Sequence, residues 1–170
     1  MEWCIGDLNF GEMQMSTLSF QSFCVEYYAK HIGMTGADVY RMFRESGLMK
    51  VLVDDYEDLH GLGWEALMPM FDEYLGRHAK KMSLAAVSRI CSILRAGGAL
   101  MDEDHTLIRA TLVPAIVAIL MGHYGISEGE ALDLFYMSKT ARAFADDSIG
   151  LYGQSALNIA GEVISENERS

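Results

Sequence analysis

Seven consecutive residues, Asp54-Asp55-Tyr56-Glu57-Asp58-Leu59-His60, gather carboxylates and an imidazole in one short stretch. Such a set could chelate a hard or borderline cation, and a histidine beside acids could serve as a general base with a raised pKa. The spacing argues against both. It matches neither H-E-x-x-H nor an EF-hand loop, which needs oxygens at alternate positions around a central glycine. Ser138-Lys139-Thr140 resembles a phosphate loop only superficially, because no glycine-rich run precedes it. His31 and His123 each stand just before a glycine that can end a helix, where a cation suits the helix dipole, and His105 is expected to be solvated in a first turn. No nucleophile elbow or cysteine-protease signature is present. The expectation is a protein without catalytic residues, cofactor or metal. The alternative is a metal-dependent enzyme using Asp54, Asp55, Glu57, Asp58 and His60.

The elements that must carry these residues come in two sets. Shifted by 92 positions, the chain meets itself without a gap from His31 to Gly61: His31 falls on His123, Gly33 on Gly125, Phe43 on Phe135, Ser46 on Ser138, Asp54 and Asp55 on Asp146 and Asp147, Leu59 on Leu151, and Gly61 on Gly153. Repeats of this kind set the architecture, so the chain is read as two copies of one helical unit. Under the same shift Glu57 falls on Ile149, Asp58 on Gly150 and His60 on Tyr152. A position that takes His in one copy and Tyr in the other suits a packed planar ring with a hydrogen-bonded tip, not a metal ligand. Tyr56, Leu59, His60, Tyr136, Ser138, Lys139, Thr140 and Tyr152 therefore stand as candidate interaction or structural residues.

Along the chain, residues 1–15 form an arm expected to pack on the body, and residues 16–79 a first helical unit. Ser16 caps its first helix, whose apolar positions Leu18, Phe20, Phe23, Cys24, Tyr27, Tyr28 and Ile32 recur at three and four. Gly33 ends that helix, Thr35 with Asp38 opens the next, and Gly47 stops it. Leu48 to His60 reads as one helix and Trp64 to Leu75 as another, with Pro69 inside it. Gly76 to Met82 is basic, which suits a solvated helix C-terminus, and it is also the candidate for the seam between copies. Residues 80–101 are a linker containing a helix from Ser83 to Leu94. Residues 102–166 form the second unit, opened by Asp102 as N-cap. Its first helix, Leu107 to His123, is apolar nearly all round and is expected to be the central helix, enclosed by protein. Ser127 with Glu130 makes a capping box, and Leu151 to Ile164 is the last helix. Residues 167–170 are a tail. Nowhere do β-branched and aromatic residues alternate over a bounded run, so the fold is expected to be all-α, a pseudo-symmetric bundle of two units.

Composition narrows the partners. Of the 170 residues 51% are apolar, so there is ample material for a core, and a net charge of −11 repels nucleic-acid backbones while suiting a basic protein partner. Cys4, Cys24 and Cys91 are odd in number and far apart, which suits a reducing cytoplasm. The start Met-Glu-Trp-Cys lacks the pattern of a signal peptide, and the apolar run from Ala110 to Met121 falls short of the roughly 20 residues that cross a bilayer. The chain is expected to be cytoplasmic, a monomer or homodimer, binding neither nucleic acid nor membrane.

Several motifs carry a resemblance. Phe20-x-x-Phe23-Cys24-x-Glu26-x-Tyr28, Met34-Thr35-Gly36-x-Asp38-Val39-Tyr40-x-x-Phe43, Tyr56-x-x-Leu59-His60-x-x-Gly63 and Asp72-Glu73-Tyr74 resemble a family of short bacterial proteins classed only as a domain of unknown function, over about residues 17–76. Phe135-Tyr136-x-Ser138-Lys139-Thr140, Asp146 and Gly150-Leu151-Tyr152-x-Gln154-Ser155 are similar to a second short uncharacterised bacterial family, over about residues 103–165. Genes of this kind often neighbour an ADP-ribosyltransferase-like toxin. The resemblance thus implies an accessory or antitoxin-like partner of a neighbouring gene product, and it supplies no catalytic residues. A typical family member is one short unit, whereas this chain joins both.

Overall fold

In the computed structural model, residues 16–78 and 105–169 are described. They are all-α, with no strand among them. The first half holds α1 (Thr17–Ile32), α2 (Gly36–Ser46), α3 (Leu48–Asp54), α4 (Tyr56–Leu59) and α5 (Trp64–His78). The second holds α6 (Thr106–Tyr124), α7 (Glu128–Tyr136), α8 (Lys139–Phe144), a 3-10 turn (Leu151–Gly153) and α9 (Ala156–Glu168). The expected arm of residues 1–15, the linker helix from Ser83 to Leu94, Cys4 and Cys91 lie outside the described residues, as does Asp102.

Local chemistry sets most boundaries. The Ser16 hydroxyl accepts from the Ser19 amide at 3.1 Å, satisfying one of the four free donors at the start of α1. At its other end Gly33 takes φ 65°, and the Met34 amide reaches back to the Ala29 carbonyl at 2.9 Å while Gly33 bonds Lys30, the two bonds of a Schellman stop. Thr35 caps α2, and Ser127 and Glu130 form the expected capping box on α7. Gly125, at φ 66°, stops α6 with a single bond to Met121.

Several boundaries differ from the sequence reading. The stretch from Leu48 to His60 breaks at Asp55 into α3 and α4. The N-cap of α6 is His105, which makes no side-chain cap bond. The last helix starts after Ser155, whose side chain accepts from the Asn158 amide, and it runs on to Glu168. Residues 151–153 form a 3-10 turn instead, because Gly150 in the left-handed region has just reversed the chain.

One apolar core joins both halves. It runs from Phe20, Cys24, Val25 and Tyr28 of α1 through Phe43, Leu52 and Phe71 to Val113, Ile116, Val117 and Leu120 of α6, Phe135 of α7 and Ile159 of α9. The pairing of α1 with α6 is the most extensive contact among the described residues, and α9 also packs on α6. Contrary to the expectation that α6 is enclosed, its face at Leu107, Thr111, Ala115, Ala118 and Gly122 is exposed. Most of those side chains are small, so hydropathy credits them with more buried area than they have to offer. At 19 residues α6 is long and apolar enough to cross a membrane by length and composition, more than the Ala110 to Met121 run alone indicated.

Nothing lies within 4 Å of a Cβ placed on Gly33 or on Gly125, so the cost of a side chain there is purely backbone. Gly33→Ala and Gly125→Ala should each lower stability by about 1–2 kcal/mol, as measured by chemical denaturation, and by similar amounts.

Candidate functional site

The charged cluster that singles itself out is not the acidic run of residues 54–60. It lies where the halves meet. Glu26, in the middle of α1, is only 4% exposed. It sits there because it lies one helical turn from the buried Ser22 and Ala29 and so shares their inward face. The carboxylate accepts a hydrogen bond from the Tyr136 hydroxyl of α7 at 3.1 Å and faces the Arg109 guanidinium of α6 at 3.5 Å. Arg109 turns its other arm to Asp147, donating at 2.6 Å. The space above Glu26 is kept open by Gly36 at the start of α2, where any Cβ would overlap the carboxylate.

A second layer borders the first. The Tyr136 ring stacks on Tyr40 of α2, centroids 4.6 Å apart and nearly parallel. The Tyr40 hydroxyl donates to Asp133 of α7 at 2.7 Å, and Arg44 pairs with the same carboxylate at 2.5 Å. Burial holds both phenols protonated, pushing Tyr40 and Tyr136 above their ordinary range, with the carboxylates of Asp133 and Glu26 adding to it. Five elements thus contribute side chains to one polar seam, α1 and α2 from the first half and α6, α7 and the turn at Asp147 from the second.

The sequence candidates are placed elsewhere, save Tyr136. The His60 ring stacks on Tyr56 at 4.5 Å, and its Nδ1 lies 2.8 Å from the Tyr56 carbonyl, so the expected packed ring is found. Leu59 is buried beside it. Asp54 is spent on Lys50, and Asp55, Glu57 and Asp58 point to solvent. Among the described residues no three His, Cys, Asp or Glu side chains converge as a metal site requires. Ser138 caps α8, whose Lys139 and Thr140 amides donate to the Glu166 carboxylate at 2.8 and 3.1 Å. The anion at Ser-Lys-Thr is therefore the chain's own. Burial raises Glu166, but those amides and the Thr140 hydroxyl outweigh it and hold the carboxyl below its usual range. A shallow cleft of about 200 Å³ adjoins it, lined by Leu134, Met137, Val163 and Asn167.

His105 departs from expectation. Its ring stacks on Tyr152 at 3.8 Å, with side-chain exposure of 18%, and Nδ1 lies 3.6 Å from Asp147. Tyr152 and His105 thus brace the same turn that Arg109 grips. His31 bonds Asp72, which also accepts from the Tyr28 hydroxyl at 2.8 Å, tying α1 to α5. With both side chains of α1 on one carboxylate of α5, the set reads as a clamp.

Burial drives the Glu26 carboxyl up to about 7, with the Arg109 charge and the hydrogen bonds from Tyr136 and Arg109 drawing it only partly back. The folded protein then keeps a proton that the unfolded chain releases above about 4.5, so the stability Glu26 contributes is full below that pH and is lost as pH rises through 7. Between pH 5 and 8 the wild type should lose up to about 3 kcal/mol relative to Glu26→Gln, seen as converging or crossing denaturation midpoints. Gly36→Ala should cost about 1–3 kcal/mol, and that penalty should shrink in a Glu26→Ala background, since the added methyl then meets a space.

A family model described as a protein of unknown function (DUF3791) matches residues 19–78, from the first turn of α1 to the last residue of α5. No curated protein and no solved structure matches the chain. The first half therefore resembles a short domain of unknown function, and the seam at Glu26, Gly36, Tyr40 and Arg44 is the face that this matched stretch turns toward the second half.

Proposed function

We propose that this chain is a non-catalytic cytoplasmic binding module, two related helical units acting together, that engages a protein partner through its outer surface. Given the resemblance of its halves, the product of an adjacent gene is the first candidate, with the chain in an accessory or antitoxin-like role. Element positions support the relation between the units. Helices α2 and α7 begin 92 residues apart, as do α5 and α9, and the glycine stops at 33 and 125 and the hydroxyl caps at 35 and 127 keep the same offset. The joint before the third helix of each half is closed by residues at matching positions, with opposite chemistry: the Tyr74 hydroxyl donates to the Ser46 carbonyl, and the Glu166 carboxylate accepts from Lys139 and Thr140.

The observation that carries the binding role is how the surface departs from the interior. The buried ionisable groups of the seam satisfy one another, while large apolar side chains face solvent at the turn before, or the first turn of, the last helix in each half. These are Leu62 and Trp64 in the first, and Ile149 and Leu157 in the second. Trp64 is 49% exposed and Leu157 67%. On a chain of net charge −11, apolar anchors in an acidic surround fit a partner segment that is basic and carries hydrophobic side chains.

Purification of the tagged chain from its native host should recover a partner, and Trp64→Ser with Leu157→Ser should weaken that complex by about 2 kcal/mol or more without lowering the melting temperature. Recovery of the wild-type chain alone would overturn the reading.

A further inference from the structure

We infer that the α1–α2 face of the first half is a protein-docking surface specific for a helical unit with the chemistry of the second half, and that it functions when the two lie on separate chains. This stands on the seam alone and does not depend on the outward-facing partner or on the kinship of the units.

Three features distinguish this contact from the packing of any two helices in one core. First, its polar groups are complementary in kind. The first half supplies a buried acid, an open glycine notch, a phenol and a rim cation, namely Glu26, Gly36, Tyr40 and Arg44. The second supplies the cation Arg109, the phenol Tyr136 and the acid Asp133 that answer them. Second, the arrangement has the anatomy of an interface. A stacked aromatic pair and the buried contact of Glu26 with Arg109 sit at the centre, and a half-exposed ion pair, Arg44 with Asp133, sits at the rim. Third, the family match ends at His78, the last residue of α5. A unit ending there would lack every partner that Glu26, Tyr40 and Arg44 meet across the seam.

The test keeps the full chain and cuts only its connection. A protease site flanked by glycines and serines is inserted between Gly97 and Gly98, cleaved under native conditions, and the product followed by size-exclusion chromatography with mass detection. The two pieces should co-elute at the mass of the uncut protein. Arg109→Gln, which strands Glu26, should raise the dissociation constant of the cut pair at least about a hundredfold. Arg44→Glu, at the exposed rim, should raise it about tenfold, and adding Asp133→Arg should recover part of that loss. Should Arg109→Gln leave too little folded protein, the Arg44 pair decides alone, since both side chains reach solvent. Separate elution or precipitation of the cut wild-type pieces would overturn the inference, and so would a cut pair whose affinity ignores the Arg44→Glu change and its compensation.

Discussion

A carboxylate inside an apolar core is the constraint from which the rest of this architecture can be understood. Glu26 sits among Cys24, Val25 and the side chains that α1 shares with α6, and it cannot be left there unanswered. Desolvating it costs several kcal/mol, and the interaction with Arg109 and the hydrogen bond from Tyr136 return that cost only in good geometry. Such a pair adds little net stability over a hydrophobic one. What it adds is register: α6 and α7 can approach α1 in other ways that bury as much apolar surface, but only one places a guanidinium and a phenol at Glu26. The glycine at position 36 belongs to the same solution, because α2 must start where a side chain would displace the carboxylate.

From that point the constraint travels outward. Arg109 is fixed by the buried acid on one side and by Asp147 on the other, so the turn at residues 146–150 is held against the start of α6. His105 and Tyr152 stack across the same gap and keep the turn from opening. Tyr136, occupied at its hydroxyl by Glu26, lies flat on Tyr40 and so brings α2 against α7, where Asp133 collects both Tyr40 and Arg44. The clamp of Tyr28 and His31 on Asp72 does for α5 what the seam does for α7, fixing the far side of α1 within the first half.

Local chemistry was legible in the sequence, and this non-local pairing was not. Caps announce themselves by residue type and spacing, so Ser16, Thr35, Gly33, Gly47, Gly125 and the Ser127–Glu130 box could be placed from a single chain. The break at Asp55 was missed because a run that is apolar and then acidic has the same period whether or not one residue leaves the helix. The seam was missed because its partners are single residues far apart along the chain, which no periodicity links. A signal did exist. Glu26 is the one acid of α1 and Arg109 the one arginine or lysine of the apolar α6, and a lone acid and a lone base in two core helices are the signature of a buried pair. The dense carboxylates of residues 54–60 are more conspicuous in the sequence, but there crowding of charge marks a solvated face.

The seam also decides what kind of association the halves allow. At the offset of 92 residues Glu26 corresponds to Ala118, Arg109 to Thr17, and Tyr136 to Arg44. None of the groups that answer Glu26 has a like-charged or like-shaped counterpart in the first half. A first half alone therefore lacks the guanidinium and the phenol that meet Glu26 here, and a second half alone lacks that carboxyl, though its Arg109 still holds Asp147. Without Arg109 the buried Glu26 carboxyl is held protonated the more firmly and forgoes the ion pair. The contact of the two unlike halves is the one that supplies Glu26 with both of its partners. A contact built only from apolar positions that recur at the offset, such as Phe43 and Phe135, would lack that discrimination. Specificity in this molecule accordingly resides in the few places where its two halves differ.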